Sequence, residues 1–186
     1  AALAARNALA TLEGAIAARA AATVSIKLTQ FGLDFSEALT LENVRPLVRL
    51  ARQHGSRVEV DMESSAYTAR TLQIIETLHS EGPVRSVIQA YLHRTAQDID
   101  RLNALGIPVR LCKGAYNEPP DLAMKRKSDV DENFRRMATR LLENGSYPAF
   151  ATHDPAMIDH VLAHRPAPDQ FEFQMLYGIR RDLQER

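Results

Sequence analysis

Several things are scarce in this chain, and each scarcity closes a class of function. There is one cysteine, Cys112, which excludes an intramolecular disulfide and a cysteine-cage zinc site and fits a reducing compartment. Net charge is absent: 23 basic side chains cancel 23 acidic ones. The broad electrostatic attraction of a nucleic-acid binder is therefore missing. Every apolar stretch is interrupted by charge well short of the ~18 residues that a membrane-spanning helix needs. No basic-then-apolar leader opens the chain, which starts at Ala1 rather than Met, so a segment upstream is expected. No Gly-x-Gly-x-x-Gly follows any apolar run, which weighs against a dinucleotide-binding sheet. Linkers and charge blocks are lacking too. The 186 residues read as a single domain, long enough to bury roughly 70% of the surface exposed by the unfolded chain.

What is present is an alternation. Short runs of apolar and β-branched residues at Val24–Leu28, Val58–Met62, Val84–Ala90, Val109–Cys112, Pro148–His153 and Phe171–Leu176 predict strands. Helical patterns fall between them near 40–54, 65–80, 95–105, 128–144 and 154–163, with another start at 178. An Ala-rich helix is predicted over 2–20, because Ala, Leu and Arg lose little side-chain entropy there. The strands recur at intervals near the ~30 residues that a βα unit needs, so the units 24–186 predict a parallel sheet.

An open sheet and a (β/α)8 barrel both fit such a run, and the strand ends separate them. A barrel gathers single functional residues from the C-terminal ends of many strands. Here the ends carry Lys27, Asp61, Gln89, Arg110, Lys113, His153 and Gln174. Ser25 and Lys27 share one strand face while Val24, Ile26 and Leu28 share the other; Glu59 and Asp61 likewise oppose Val58 and Val60. The expected class is therefore α/β, a (β/α)8 TIM-type barrel. Six strands are visible where eight are required, and barrels run to about 250 residues. The shortfall matches about two units of ~30 residues, so the barrel is expected to be incomplete, trimmed at one or both ends.

Arg110-Leu-Cys-Lys113-Gly-Ala-Tyr116 sets two cations at a strand end before small residues that let a ligand approach the backbone. Alternation puts Arg110 and Lys113 on opposite faces, so their roles should differ; pairing with neighbouring carboxylates is the bland account of both. Asp61 inside a barrel needs a partner, and Lys27 is the obvious one; such a pair is poor value for stability and more plausible as a site. Ser64 or Ser65 suits the N-cap of the next helix. His160 and His164 stand one turn apart on a helix, yet a metal role is not expected of them. Cys112 reads as a small buried hydrophobe.

The segments Val24-Ser-Ile-Lys27-Leu-Thr-Gln30, Val60-Asp61-Met62-Glu63, Val87-Ile-Gln89-Ala-Tyr91, Arg110-Leu-Cys-Lys113-Gly-Ala-Tyr116, Ala151-Thr152-His153-Asp154 and Phe171-Glu-Phe-Gln174-Met-Leu-Tyr177-Gly resemble proline dehydrogenase, a flavin-dependent barrel family. They occur in the family's order from about residue 23 to 178, and the monofunctional bacterial form is more similar than the proline-utilization fusion. The resemblance implies FAD at the C-terminal mouth and oxidation of L-proline to Δ1-pyrroline-5-carboxylate. It also implies a quinone acceptor, a cytoplasmic protein with peripheral contact at the inner membrane, and no nucleic-acid partner. It makes Asp61 and Arg110 catalytic, with Lys27 and Leu176 on the substrate side. Met62, Gln89, Arg110, Lys113, Gly114, Ala115, Thr152 and His153 become the FAD contacts.

One element departs from the family. There, a helix after the eighth strand supplies a tyrosine and an arginine pair for the substrate carboxylate. Tyr177-Gly-Ile-Arg180-Arg181 mimics that pair but follows the Gln174 strand too early, and reads as a solvated basic turn. Two rivals remain open on sequence. One is a Schiff-base aldolase using Lys27 or Lys113; the other is a non-catalytic barrel piece packed on a partner.

Overall fold

The computed structural model describes residues 1–18 and 23–184, in two units that divide between Ser86 and Val87. The final two residues of the predicted 2–20 helix, and residues 185–186 of the last βα unit, lie outside the described residues.

The first unit runs α1 (Ala2–Ala17), β1 (Thr23–Ile26), a 3-10 turn (Leu28–Phe31), α2 (Glu37–Gln53), β2 (Arg57–Val60), α3 (Ser65–His79) and the start of β3 (Val84–Gln89). The start of α2 is written in its sequence: the Ser36 hydroxyl accepts from the Leu39 N–H at 3.0 Å, and Glu37 sits in the positive first turn. Val44, Leu47, Val48 and Ala51 then recur at helical spacing and are fully buried, which gives α2 its core-facing stripe. The β1–β2 ladder pairs Val24 with Val58 and Ser25 with Glu59, while β2–β3 pairs Glu59 with Arg85. Both ladders are parallel.

The second unit holds the rest of β3, α4 (Thr95–Ala104), β4 (Val109–Cys112), α5 (Lys127–Asn144), β5 (Ala149–Ala151), α6 (Pro155–Ala163), β6 (Glu172–Gln174) and a single turn, α7 (Arg181–Gln184). Phe134, Met137, Ala138 and Leu141 form the buried stripe of α5. Phe150 of β5 is fully buried, its ring 6.4 Å from Phe171 and 6.2 Å from Phe173. Each such side chain contributes about 1.5–3 kcal/mol. Asp154 caps α6 by accepting from the Ala156 N–H at 3.0 Å, and Pro155 at the first helical position costs nothing there.

Strand order follows chain order, β1 to β6. A doubly wound sheet reverses order at a switch point; sequential parallel strands alternating with helices are the (β/α)8 pattern, as expected from the sequence. The predicted strands all form, but most stop short. Lys27, Asp61, Met62, His153 and Leu176 lie beyond the last paired residue, because apolar alternation continues past the point where the neighbouring ladder ends. The 3-10 turn at Leu28–Phe31 is unheralded in the strand pattern. Leu28 and Phe31 are both buried, a spacing of three that suits its period.

Candidate functional site

In the first unit the ends of β1 and β2 build a carboxylate clamp. Alternation sends Ser25 and Lys27 to one side of β1 while Ile26 and Leu28 are buried on the other. The Asp61 N–H continues the ladder to the Ile26 carbonyl at 2.8 Å, and that bond sets the Asp61 side chain beside both. Lys27 Nζ donates to Asp61 Oδ2 at 2.6 Å, and the Ser25 hydroxyl donates to Oδ1 at 2.7 Å. Lys27 is 45% exposed and Asp61 17%, so the pair stands at a wet edge. The expected Lys27–Asp61 partnership is present.

Just after β2, Glu63 is buried and takes two donors from one residue, the Thr29 N–H at 3.1 Å and the Thr29 hydroxyl at 2.6 Å. This pins the 3-10 turn to the segment after β2. Met62 is buried between these two carboxylates in sequence. Below them, Glu59 does not stand on an open polar face: fully buried Arg85 donates to its Oε1 at 2.6 Å. Ser64 occupies the N-cap of α3 without a side-chain cap bond.

In the second unit β4 splits its two cations as alternation requires. Arg110 is half-buried, and its Nη1 donates to Gln174 Oε1 of β6 at 3.2 Å; Gln174 Nε2 in turn donates to Glu172 at 2.7 Å. Lys113 follows the parity of buried Val109 and Leu111 and reaches the helix layer instead. Its Nζ donates to Asp131 Oδ1 of α5 at 2.5 Å and to Asp154 Oδ2 at 2.6 Å. Lys127 also donates to Asp131 and lies 3.8 Å from Asp154. Burial pulls the Lys113 ammonium down, but bonds from both carboxylates outweigh it and hold its pKa above the usual lysine value. Lys113 holds the Asp154 carboxyl below its ordinary range; in Asp131, burial pushes up but the bonds from Lys113 and Lys127 prevail. A Schiff-base nucleophile needs the reverse shift, so Lys113 does not fit the aldolase reading, and Lys27 stands in an ion pair.

Gly114 has φ +109°, and a Cβ there would lie 2.3 Å from a Tyr91 ring carbon, so a side chain does not fit. The Tyr91 N–H donates to the Lys113 carbonyl at 2.9 Å. Burial, and after it the Glu118 carboxylate, push the Tyr91 phenol up to about 12. Ala115 is exposed. Gln89 is buried, and its carbonyl accepts from the Thr95 hydroxyl at 2.6 Å.

Thr152 is buried and accepts from the Asp154 N–H at 3.1 Å. His153 Nε2 accepts from the Leu176 N–H at 3.0 Å. The Leu176 side chain is 65% exposed. Cys112 is half-buried rather than buried, its thiol donating to the Ile88 carbonyl at 3.5 Å. His160 and His164 both meet the Thr139 hydroxyl through Nε2, at 3.0 and 3.1 Å. Among the described residues no group of three or more His, Cys, Asp or Glu could hold a metal ion, and no helix is long and apolar enough to cross a membrane.

Sequence reasoning missed Ser25 as a partner of Asp61, the Thr29–Glu63 bonds, the Glu59–Arg85 pair and the two carboxylates that hold Lys113. Only Ser25 left a signal, its shared parity with Lys27.

A family model described as proline dehydrogenase matches residues 1–186. Proline dehydrogenase 2 of Bacillus subtilis is 45% identical over 166 residues, covering 87% of this chain and 55% of its own. Proline dehydrogenase of Deinococcus radiodurans is 42% identical over 185 residues, covering 94% and 60%. The chain thus spans a little over half the length of these relatives. A solved structure of proline utilization A (PutA) from Bradyrhizobium japonicum superposes with a TM-score of 0.86 at 26% identity, covering 99% of this chain and 23% of that one. The monofunctional relatives are the more similar, as the motifs implied. Family model, relatives and strand-end motifs agree, and the chain belongs to the proline dehydrogenase family.

Proposed function

We propose that this chain carries the substrate-side and flavin-side residues of an enzyme that oxidises L-proline to Δ1-pyrroline-5-carboxylate. The observation that carries the proposal is the clamp on Asp61, whose two oxygens are held by Ser25 and Lys27. A carboxylate tied this way keeps one rotamer at the strand end, where a barrel enzyme works. Lys27 and Asp61 form the polar floor for proline, and Leu176 is a further proposed substrate-side residue. The proline ring loses a hydride from the carbon beside its nitrogen and a proton from the nitrogen, leaving the C=N bond of the product.

FAD, when bound, supplies the hydride acceptor. The residues of the second unit suit it: the Arg110 guanidinium, Gly114 beside Tyr91 with the small Ala115 after it, the Thr152 hydroxyl and the His153 ring. Met62, Gln89 and Lys113 complete the proposed contacts. Arg110 would hold a positive charge beside the bound flavin, where it would offset negative charge on the reduced ring. Asp61 and Arg110 are the proposed catalytic residues. The whole chain is read as one barrel domain, in keeping with a family model that spans it. Electrons pass on to a quinone, and the protein is cytoplasmic with peripheral contact at the inner membrane.

The test is to load the chain with FAD and add L-proline without oxygen. Loss of the oxidised flavin absorbance is expected, with the imine product captured by an aromatic amine. A chain that takes up no flavin, or one whose bound flavin ignores proline, contradicts the proposal.

A further inference from the structure

Lys113 is a cation beside residues proposed to hold an anionic cofactor, and the simple reading makes it a charge ligand for that cofactor. Its surroundings argue otherwise. Two of its three ammonium donors are spent on Asp131 and Asp154, at 2.5 and 2.6 Å. Its side chain is 26% exposed and that of Asp131 only 15%. Lys127 lies against the same two carboxylates, so the four charges cancel. By strand parity Lys113 points to the helices, away from Arg110.

What Lys113 offers the other side is its backbone. Its carbonyl accepts from the Tyr91 N–H, Gly114 next to it is pressed on the Tyr91 ring, and Ala115 follows in the open. Asp154 divides its carboxylate, one oxygen capping α6 and the other on Lys113. The peptide after β4 is therefore tied at once to α5 and to the head of α6.

We propose that Asp131 and Asp154 are positioning residues, which use the Lys113 ammonium as a tie-rod to hold the Gly114–Ala115 backbone against the flavin. The Lys113 charge is not a ligand for the cofactor's phosphates. This rests on the flavin reading above, though the tie itself does not.

The sign of one substitution separates the two roles. If Lys113 were a phosphate ligand, Asp131→Asn would free its charge and tighten FAD. If Lys113 is a tie, Asp131→Asn weakens FAD about tenfold or more, the effect of losing a charge-assisted bond. Asp154→Asn does the same while keeping the α6 cap, because Asn caps as well as Asp. Lys113→Met then costs riboflavin, which has no phosphate, as much affinity as it costs FAD. The Lys113→Met/Asp131→Asn double variant binds no worse than either single. Tighter FAD in Asp131→Asn, or a Lys113→Met loss confined to FAD, overturns the proposal.

Amide exchange reads the tie without any flavin. The Tyr91 amide, bonded to the Lys113 carbonyl, should exchange about tenfold faster in Asp131→Asn and Asp154→Asn. Leu102 of α4 serves as the reference for general opening. Equal exchange at Tyr91 in native and variant chains overturns the tie. A native chain that binds no FAD overturns the flavin reading, while exchange still decides the tie.

Discussion

Replacing Gly114 by alanine tests how tightly the segment after β4 is built. The residue sits at φ +109°, where an L side chain costs about 1–2 kcal/mol. The new methyl would stand 2.3 and 2.4 Å from two carbons of the Tyr91 ring. That ring is buried in a small cluster with Leu92 and Ala123, and Val130 packs against it. Forcing it aside costs a further ~1–3 kcal/mol as overpacking. Together, Gly114→Ala should destabilise the chain by about 2–5 kcal/mol, read as a lower urea midpoint at unchanged slope. Gly14 is the control. It lies inside α1 with nothing within 4 Å of its would-be Cβ, so Gly14→Ala should stabilise by up to ~1 kcal/mol through helix propensity. A Gly114→Ala midpoint equal to that of the native chain would refute the close approach.

Two further outcomes follow from the charge network. Asp131 and Asp154 titrate below their ordinary value of 3.8, so their stabilisation is full above it and fades as pH falls through the lowered values; Lys113 titrates above 10.5, so its share is full below that pH and fades as pH rises through the raised value. Urea midpoints should therefore drop on the acid side below about pH 4 and again in strong alkali, with both losses blunted in Lys113→Met; a variant profile parallel to the native one would contradict this. Arg85→Met removes the guanidinium bond to the Glu59 carboxylate and should cost about 1.5–3 kcal/mol, as for a lost hydrogen bond to a charged group. Arg85→Met/Glu59→Leu should recover part of the loss in the same urea assay.

β4 was legible to the residue, because Val109–Cys112 is a short run bounded by Pro108 before it and Lys113-Gly114 after it. The Lys27–Asp61 pair was legible for a related reason: parity fixes which strand residues share a face, and a carboxylate on that face requires a cation. Chain ends of strands were less so. Asp61 and His153 carry the pattern onward, but the strands end at Val60 and Ala151, and past Val60 the ladder goes on through the Asp61 N–H to the Ile26 carbonyl. The grip on Lys113 left no trace in local pattern, since Asp131 and Asp154 lie 18 and 41 residues away. Both stand at the start of a helix, where carboxylates are common whatever they pair with. Resemblance alone puts Leu176 on the substrate side; its backbone is engaged by His153 while its side chain is exposed.

The most direct measurement is the rate at which L-proline bleaches bound flavin in stopped flow, with native chain set against Asp61→Ala and Lys27→Met. Losing a group that positions the substrate costs about 10²-fold in rate, so both variants should keep their FAD and reduce it roughly 100-fold more slowly. Native rates in either one would mean that the clamped carboxylate is not where proline is oxidised.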